Sequence, residues 1–225
     1  MFQEQMAKIK KRLVENATLI ETMIRDSMQG LLEKDSELLK KVMSEDEPKA
    51  NHFELELDEL CTASIAIYQP KAKDLRTTLM VLRMTNDLER MGDLAVNICE
   101  SGSYLIERPP VKPLIDIPRM ARETESMLKD SIDSFINEDA NLARQVCERD
   151  GIVDGLRDQV LRELITFMTG DSGTIERSLA LIRISRNLER IADLSTNICE
   201  DVIFMVEGRV IKHHRNSTEE GDSES

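Results

Sequence analysis

Apolar residues recur at steps of three and four along much of the chain. Met6, Ile9, Leu13, Ala17, Ile20, Ile24 and Leu31 form the first series, and at about 100° per residue they gather on one helix face. The spacing predicts a helix from Phe2 to about Gly30, with that glycine at its C-terminal end. A short helix follows over Asp35–Met43, started by Asp35 or Ser36, before the acidic break SEDEP. A second long helix opens near Pro48, whose missing N–H is harmless in a first turn, and stops before Gln69-Pro70. Its apolar side carries Phe53, Leu57, Leu60, Ser64 and Ile67. The third runs Lys71–Arg108, after which Pro109, Pro110 and Pro113 break the chain.

The plan then repeats. Ile117–Ile136 matches the first helix, Asp139–Cys147 the short one, Asp150–Met168 the second and Thr174–Ile211 the third. The duplication is plainest in LMVLRMTNDLERMGDLAVNICE, Leu79–Glu100, which returns one hundred residues later as LALIRISRNLERIADLSTNICE, Leu179–Glu200, identical at 11 of 22 positions. The expected fold is therefore all-α, with two similar helical units. Their bounds are 1–108 and 115–212, separated by a Pro-rich linker at 109–114. The tail 213–225, without apolar periodicity, is expected to be disordered.

Core packing accounts for only half of the repeated segment. Met84, Leu88, Met91, Ala95 and Ile98 face inward, while Glu89, Asp93, Asn97 and Glu100 make a narrow stripe opposite. Ile184, Leu188, Ile191, Leu194 and Ile198 oppose Glu189, Asp193, Asn197 and Glu200 in the same way. The second helix adds Glu47, Asn51, Glu54 and Asp58. Its counterpart adds Asp150, Asp154 and Asp158, with Arg157 in the place of Glu54 if a three-residue gap is allowed. An acidic stripe is ordinarily a solvated helix face. Like charges at i and i+4 nevertheless destabilise a helix by a few tenths of a kcal/mol, so keeping the pattern twice suggests that something neutralises it. Oxygen donors with almost no nearby histidine point to a hard or borderline cation: Mg²⁺, Mn²⁺, Ca²⁺ or iron. Two alternatives stay open. The stripes could contact basic patches on a partner and bind no metal, or Arg83, Arg90, Arg183 and Arg190 could pair with the acids within the chain.

Composition narrows the function classes. A net charge of −13 disfavours broad binding to nucleic acid or to an anionic membrane. No stretch reaches a membrane-spanning length and the amino terminus lacks the apolar run of a signal peptide, so a cytoplasmic location is expected. With 3% aromatic residues and no Trp, the interior must be built from Leu, Ile, Met and Ala. Cys61, Cys99, Cys147 and Cys199 are dispersed, which favours reduced, buried thiols. A carboxylate-bridged di-iron enzyme would need inward-pointing Glu-x-x-His pairs. The histidines, His52, His213 and His214, supply none, and neither a nucleophile elbow nor a Gly-rich phosphate loop is present. No enzymatic activity is expected.

The runs CTASIAIYQPKAKDLR, NDLERMGDLAVNICE and RNLERIADLSTNICEDVIFMVEGRVIKH resemble the PhoU family of regulators of high-affinity phosphate uptake, over essentially residues 1–212. The most specific parts are Leu-Glu-Arg-x-x-Asp at Glu89/Asp93 and Glu189/Asp193, Gln69-Pro70 and Asp74-Leu75-Arg76. The resemblance implies two three-helix bundles related by an approximate twofold axis, with multinuclear metal sites on their surfaces. The implied ligands are Glu89, Asp93, Asn97 and Glu100 with Glu47, Asn51, Glu54 and Asp58, and Glu189, Asp193, Asn197 and Glu200 with Asp150 and Asp154. Iron, manganese, magnesium or zinc would be the ion. Leu194 stands where the family often has His, which removes a nitrogen donor. The resemblance further implies contact with the ATPase subunit of the phosphate ABC transporter and with a phosphate-sensing histidine kinase. Both contacts serve repression of uptake and signalling when phosphate is plentiful, and homodimerisation is also expected.

Overall fold

The computed structural model describes residues 2–208, and the expected tail lies outside them. Helices α1 (Phe2–Glu33), α2 (Ser36–Lys41), α3 (Glu47–Tyr68) and α4 (Lys73–Ile106) build the first half; α5 (Asp116–Asn137), α6 (Ala140–Gly170) and α7 (Ile175–Glu207) build the second. Among the described residues there is no strand. The α2 and α3 helices are continuous through a π-helical turn, Val42–Asp46, so each half is a three-helix bundle. The α4 helix lies along α7 and α1 along α5, which joins the bundles side by side about a pseudo-twofold axis.

The junction after the first helix is built alike in both halves. Lys34 and Glu138 take left-handed φ values of 58° and 52°, and the next residue's N–H reaches back to Gly30 or to Ser134, each at 2.9 Å. Asp35 then caps α2 by accepting from the N–H groups of Glu37 and Leu38, both at 3.0 Å; Asp139 caps α6 through Asn141 and Leu142 at 2.9 and 3.1 Å. Gly30 does not end α1 as expected. The helix runs on to Glu33, and Gly30 is glycine because a Cβ there would stand 2.6 Å from Leu39 Cδ2.

A second correction concerns α6, where two helices were expected and one runs unbroken from Ala140 to Gly170. The buried positions show why the halves differ. Leu39 corresponds to Ala143 and Val42 to Val146, but beyond the π turn Ala50 corresponds to Val153, Leu57 to Val160 and Cys61 to Leu164. The first half thus holds one extra residue between Val42 and Ala50, and the wide turn absorbs it.

Both cores are aliphatic, as the composition requires. Ile20, Met23, Leu57, Met84, Leu88 and Met91 are fully buried in the first, and Leu128, Phe135, Ile184, Leu188 and Ile191 in the second, each worth about 1.5–3 kcal/mol of transfer free energy. All four cysteines are buried, and none is joined in a disulfide. No helix among the described residues is long and apolar enough to cross a membrane. Polar links tie the bundles together: Arg83 to Asp201 at 3.0 Å, Lys73 to Glu138 at 2.6 Å and Tyr104 to Glu176 at 2.8 Å.

Candidate functional site

Helical phase puts the acidic stripes of α3 and α4 on neighbouring outward faces, as the spacing predicts. Glu47, Asn51, Glu54 and Glu89 are half-buried, while Asp58, Asp93, Asn97 and Glu100 are exposed; none is sealed in the core. Five of these eight converge. Burial first, and then Asp93, Glu54 and Glu47, push the Glu89 carboxyl above its ordinary value, with Arg90 pulling the other way. Burial and Glu47 raise Asp93 likewise. The Asn51 amide donates to Glu47 at 2.7 Å and orients it. The outcome is a patch of four carboxylates in which Glu89 is repelled by the other three and Asp93 also by Glu47, with no arginine hydrogen-bonded or ion-paired to them among the described residues.

The remaining three lie elsewhere. Asp58 sits further along α3 beside Cys61, whose thiol is pushed up to about 12, chiefly by burial and then by Asp58. Asn97 faces the other bundle: Arg90, Asp93, Leu94 and Asn97 line a cleft of about 390 Å³ together with their equivalents Arg190, Asp193, Leu194 and Asn197. This cleft straddles the pseudo-twofold axis. Glu100 and Glu200 line two grooves that flank it.

The second half keeps the stripe and changes its chemistry. Arg157 on α6 takes the position equivalent to Glu54, and its guanidinium enters the acid patch. It bonds Glu189 at 2.5 Å, Asp158 at 2.9 Å and Asp154 at 3.3 Å. Burial and then Asp193 raise the Glu189 carboxyl, but Arg157 holds it back through charge and a hydrogen bond. Asp150 lies one turn before Asp154 on α6, with Asp193 and Glu200 half-buried on α7 and Asn197 exposed. The counter-charge comes from Arg157, not from the four arginines flagged by the helical wheel. Of those, Arg83 pairs across the bundle interface with Asp201.

Among the described residues, no three Asp, Glu, His or Cys side chains stand close enough together to hold a metal ion. The donor set of the first patch suits a hard cation in kind, with four carboxylates and an amide oxygen and unrelieved repulsion among them. The second patch does not suit one, because Arg157 already supplies the positive charge. The sequence offered one signal for this difference, the arginine that replaces Glu54.

A family model described as the PhoU domain matches residues 13–102 and again 117–202. The phosphate-specific transport system accessory protein PhoU homolog of Aquifex aeolicus is 36% identical over 210 residues, covering 93% of this chain and 95% of the relative. The phosphate-specific transport system accessory protein PhoU of Escherichia coli K12 is 31% identical over 212 residues, covering 94% and 88%. The crystal structure of PhoU from Pseudomonas aeruginosa superposes with a TM-score of 0.90 at 32% identity, covering 93% of this chain and all of that one. With both bundles matched and relatives covering nearly its whole length, this chain belongs to the PhoU family.

Proposed function

We propose that the protein is a non-enzymatic, cytoplasmic negative regulator of high-affinity phosphate uptake and phosphate-regulon signalling. In this reading it acts through contact with the ATPase subunit of the phosphate ABC transporter and with a phosphate-sensing histidine kinase, and it pairs with a second copy of itself. Support comes from relatives spanning nearly the whole chain whose names place them in the phosphate-specific transport system. The observation that carries the assignment of a working surface is the uncompensated acid patch of the first bundle. Burial first, and then the charges of Asp93, Glu54 and Glu47, raise the Glu89 carboxyl, and a bound cation or a basic partner surface would remove that repulsion.

In this reading Glu47, Glu54, Glu89 and Asp93, with Asn51, hold a divalent or trivalent ion, iron, manganese, magnesium or zinc. When bound, the ion neutralises the patch and ties α3 to α4. The carboxylates need a rotamer adjustment to converge on it. The second patch supports a different role, a metal-free contact surface, because Arg157 satisfies Glu189, Asp154 and Asp158 internally.

The test is to replace Glu89 and Asp93 by alanine, and separately Glu189 and Asp193, and to measure repression of phosphate uptake in cells. The reading expects the first pair to release repression and the second to act more weakly. Unchanged repression in both variants excludes the acid patches as the functional surface.

A further inference from the structure

Two equivalent grooves flank the central cleft, and they carry opposite charge. One, about 650 Å³, lies between the C-terminal half of α4 and the faces of α6 and α7; the other, about 490 Å³, is its pseudo-twofold mate. In the larger groove Arg183, Arg186 and Arg190 stand at i, i+3 and i+7 on one exposed face of α7. Among the described residues none of the three forms an ion pair within 4.0 Å. Arg157 also lines this groove, together with Asp158 and Glu189, to which it is bonded. What remains unpaired there is three guanidiniums against the single carboxylate of Glu100.

The mate reverses this balance through three substitutions. Asn86 stands for Arg186, Asp87 for Asn187 and Asp201 for Ser101, which leaves Arg83 against Asp87, Asp201 and Glu200. There Arg83 is engaged by Asp201 at 3.0 Å. In the larger groove the equivalent of Asp201 is Ser101, so Arg183 stays unpaired while the hydroxyl and the amides of Asn97 and Asn187 add neutral donors.

We propose that the larger groove binds a multiply charged phosphate chain. Arginine forks match phosphate oxygens in pairs, and guanidiniums repeated along a helix suit successive phosphoryl groups better than one. The volume falls within the range of about 300–1,000 Å³ for small-ligand sites and exceeds what a single phosphate fills. Among the described residues no aromatic side chain lines the groove, so a nucleobase finds no stacking surface there, and recognition rests on the phosphates. A nucleoside triphosphate and inorganic tripolyphosphate share this chemistry.

Calorimetry on the full chain, in chelator and at about 150 mM salt so that surface attraction is screened, decides the matter. The titrants are tripolyphosphate, adenosine triphosphate and a polyglutamate peptide. Tripolyphosphate is expected to bind one per chain. Arg186→Asn, which installs the residue its mate already tolerates, should weaken binding by about tenfold or more. Arg83→Gln should leave binding as it was, and a single cooperative unfolding transition in ligand-free buffer confirms that each variant folds. Equal affinity for the nucleotide assigns recognition to the phosphates alone; tighter nucleotide binding, still lost in Arg186→Asn, assigns the site to nucleotides and still supports it. No heat with either phosphate compound, equal binding by Arg186→Asn, or tighter binding of polyglutamate overturns the proposal.

Discussion

The two bundles share a backbone plan and differ in how they settle the same electrostatic problem. In the first, four carboxylates lie together on α3 and α4, and among the described residues no cation is bonded to them. In the second, one arginine on α6 lies among three acids and serves as a built-in counterion. Half-buried charge must be matched or it costs stability. The second bundle meets that need alone, whereas the first leaves it open to whatever binds there. A duplication with one substitution, glutamate or arginine at positions 54 and 157, thus separates a self-sufficient face from a receptive one.

The largest test of this contrast is Arg157→Glu, which makes the second patch resemble the first. In chelator the variant should lose about 2 kcal/mol, because Glu189, Asp154 and Asp158 are left unpaired, and Mn²⁺ should recover part of the loss. Thermal unfolding with and without the ion reads both effects. Wild-type stability in chelator would mean that Arg157 is not the counterion described.

Gly30→Ala comes next, at about 1–2 kcal/mol of destabilisation measured by urea unfolding, since the new methyl group meets Leu39 at 2.6 Å. Ser134, its equivalent, should accept alanine almost without cost. Smaller again is Arg83→Gln. It strands the mostly buried Asp201 carboxylate and should cost about 1 kcal/mol, against nearly nothing for Arg183→Gln.

The smallest effect lies where α1 meets α5 and the halves are most alike. Glu21 and Glu125 are both raised, mainly by burial. Around Glu21 stand Lys129, Asp133 and Arg25; around Glu125 stand Arg25, Arg122 and Glu21 itself. A carboxyl raised in the folded state binds its proton more tightly there than in the unfolded chain. Stability is therefore greatest below the ordinary value of 4.5 and falls as pH rises through the raised values. Replacing both by glutamine should flatten that fall and add about 0.5 kcal/mol at neutral pH, as read from melting temperature against pH.

Much of this was legible in the sequence because helices advertise themselves by period. The repeated apolar steps located both bundles and the outward phase of the stripes, and none of the fourteen candidate donors is buried. Helix continuity was harder to read. The acidic SEDEP stretch looked like a break, yet it forms the π turn and the start of α3, and the equivalent α6 has no interruption. Local propensity reports where a helix is weak, while packing against α1 and α4 or α5 and α7 decides whether it holds. Which donors meet was harder still. A helical wheel ranks residues by angle on one helix, so it grouped Glu100 and Asn97 with Glu89. A second helix, α7, draws them instead into grooves between the bundles.

The wide turn at Val42–Asp46 has a consequence for comparing such duplicated chains. It works as an expansion joint. A single added residue is taken up within one loop of the spiral, and every side chain downstream keeps its compass bearing. Removing any one residue from that segment should therefore leave α3 facing the same way and simply tighten the coil. Counting residues from the helix start would pair Glu54 with Asp158 and hide the exchange for Arg157 that distinguishes the two faces.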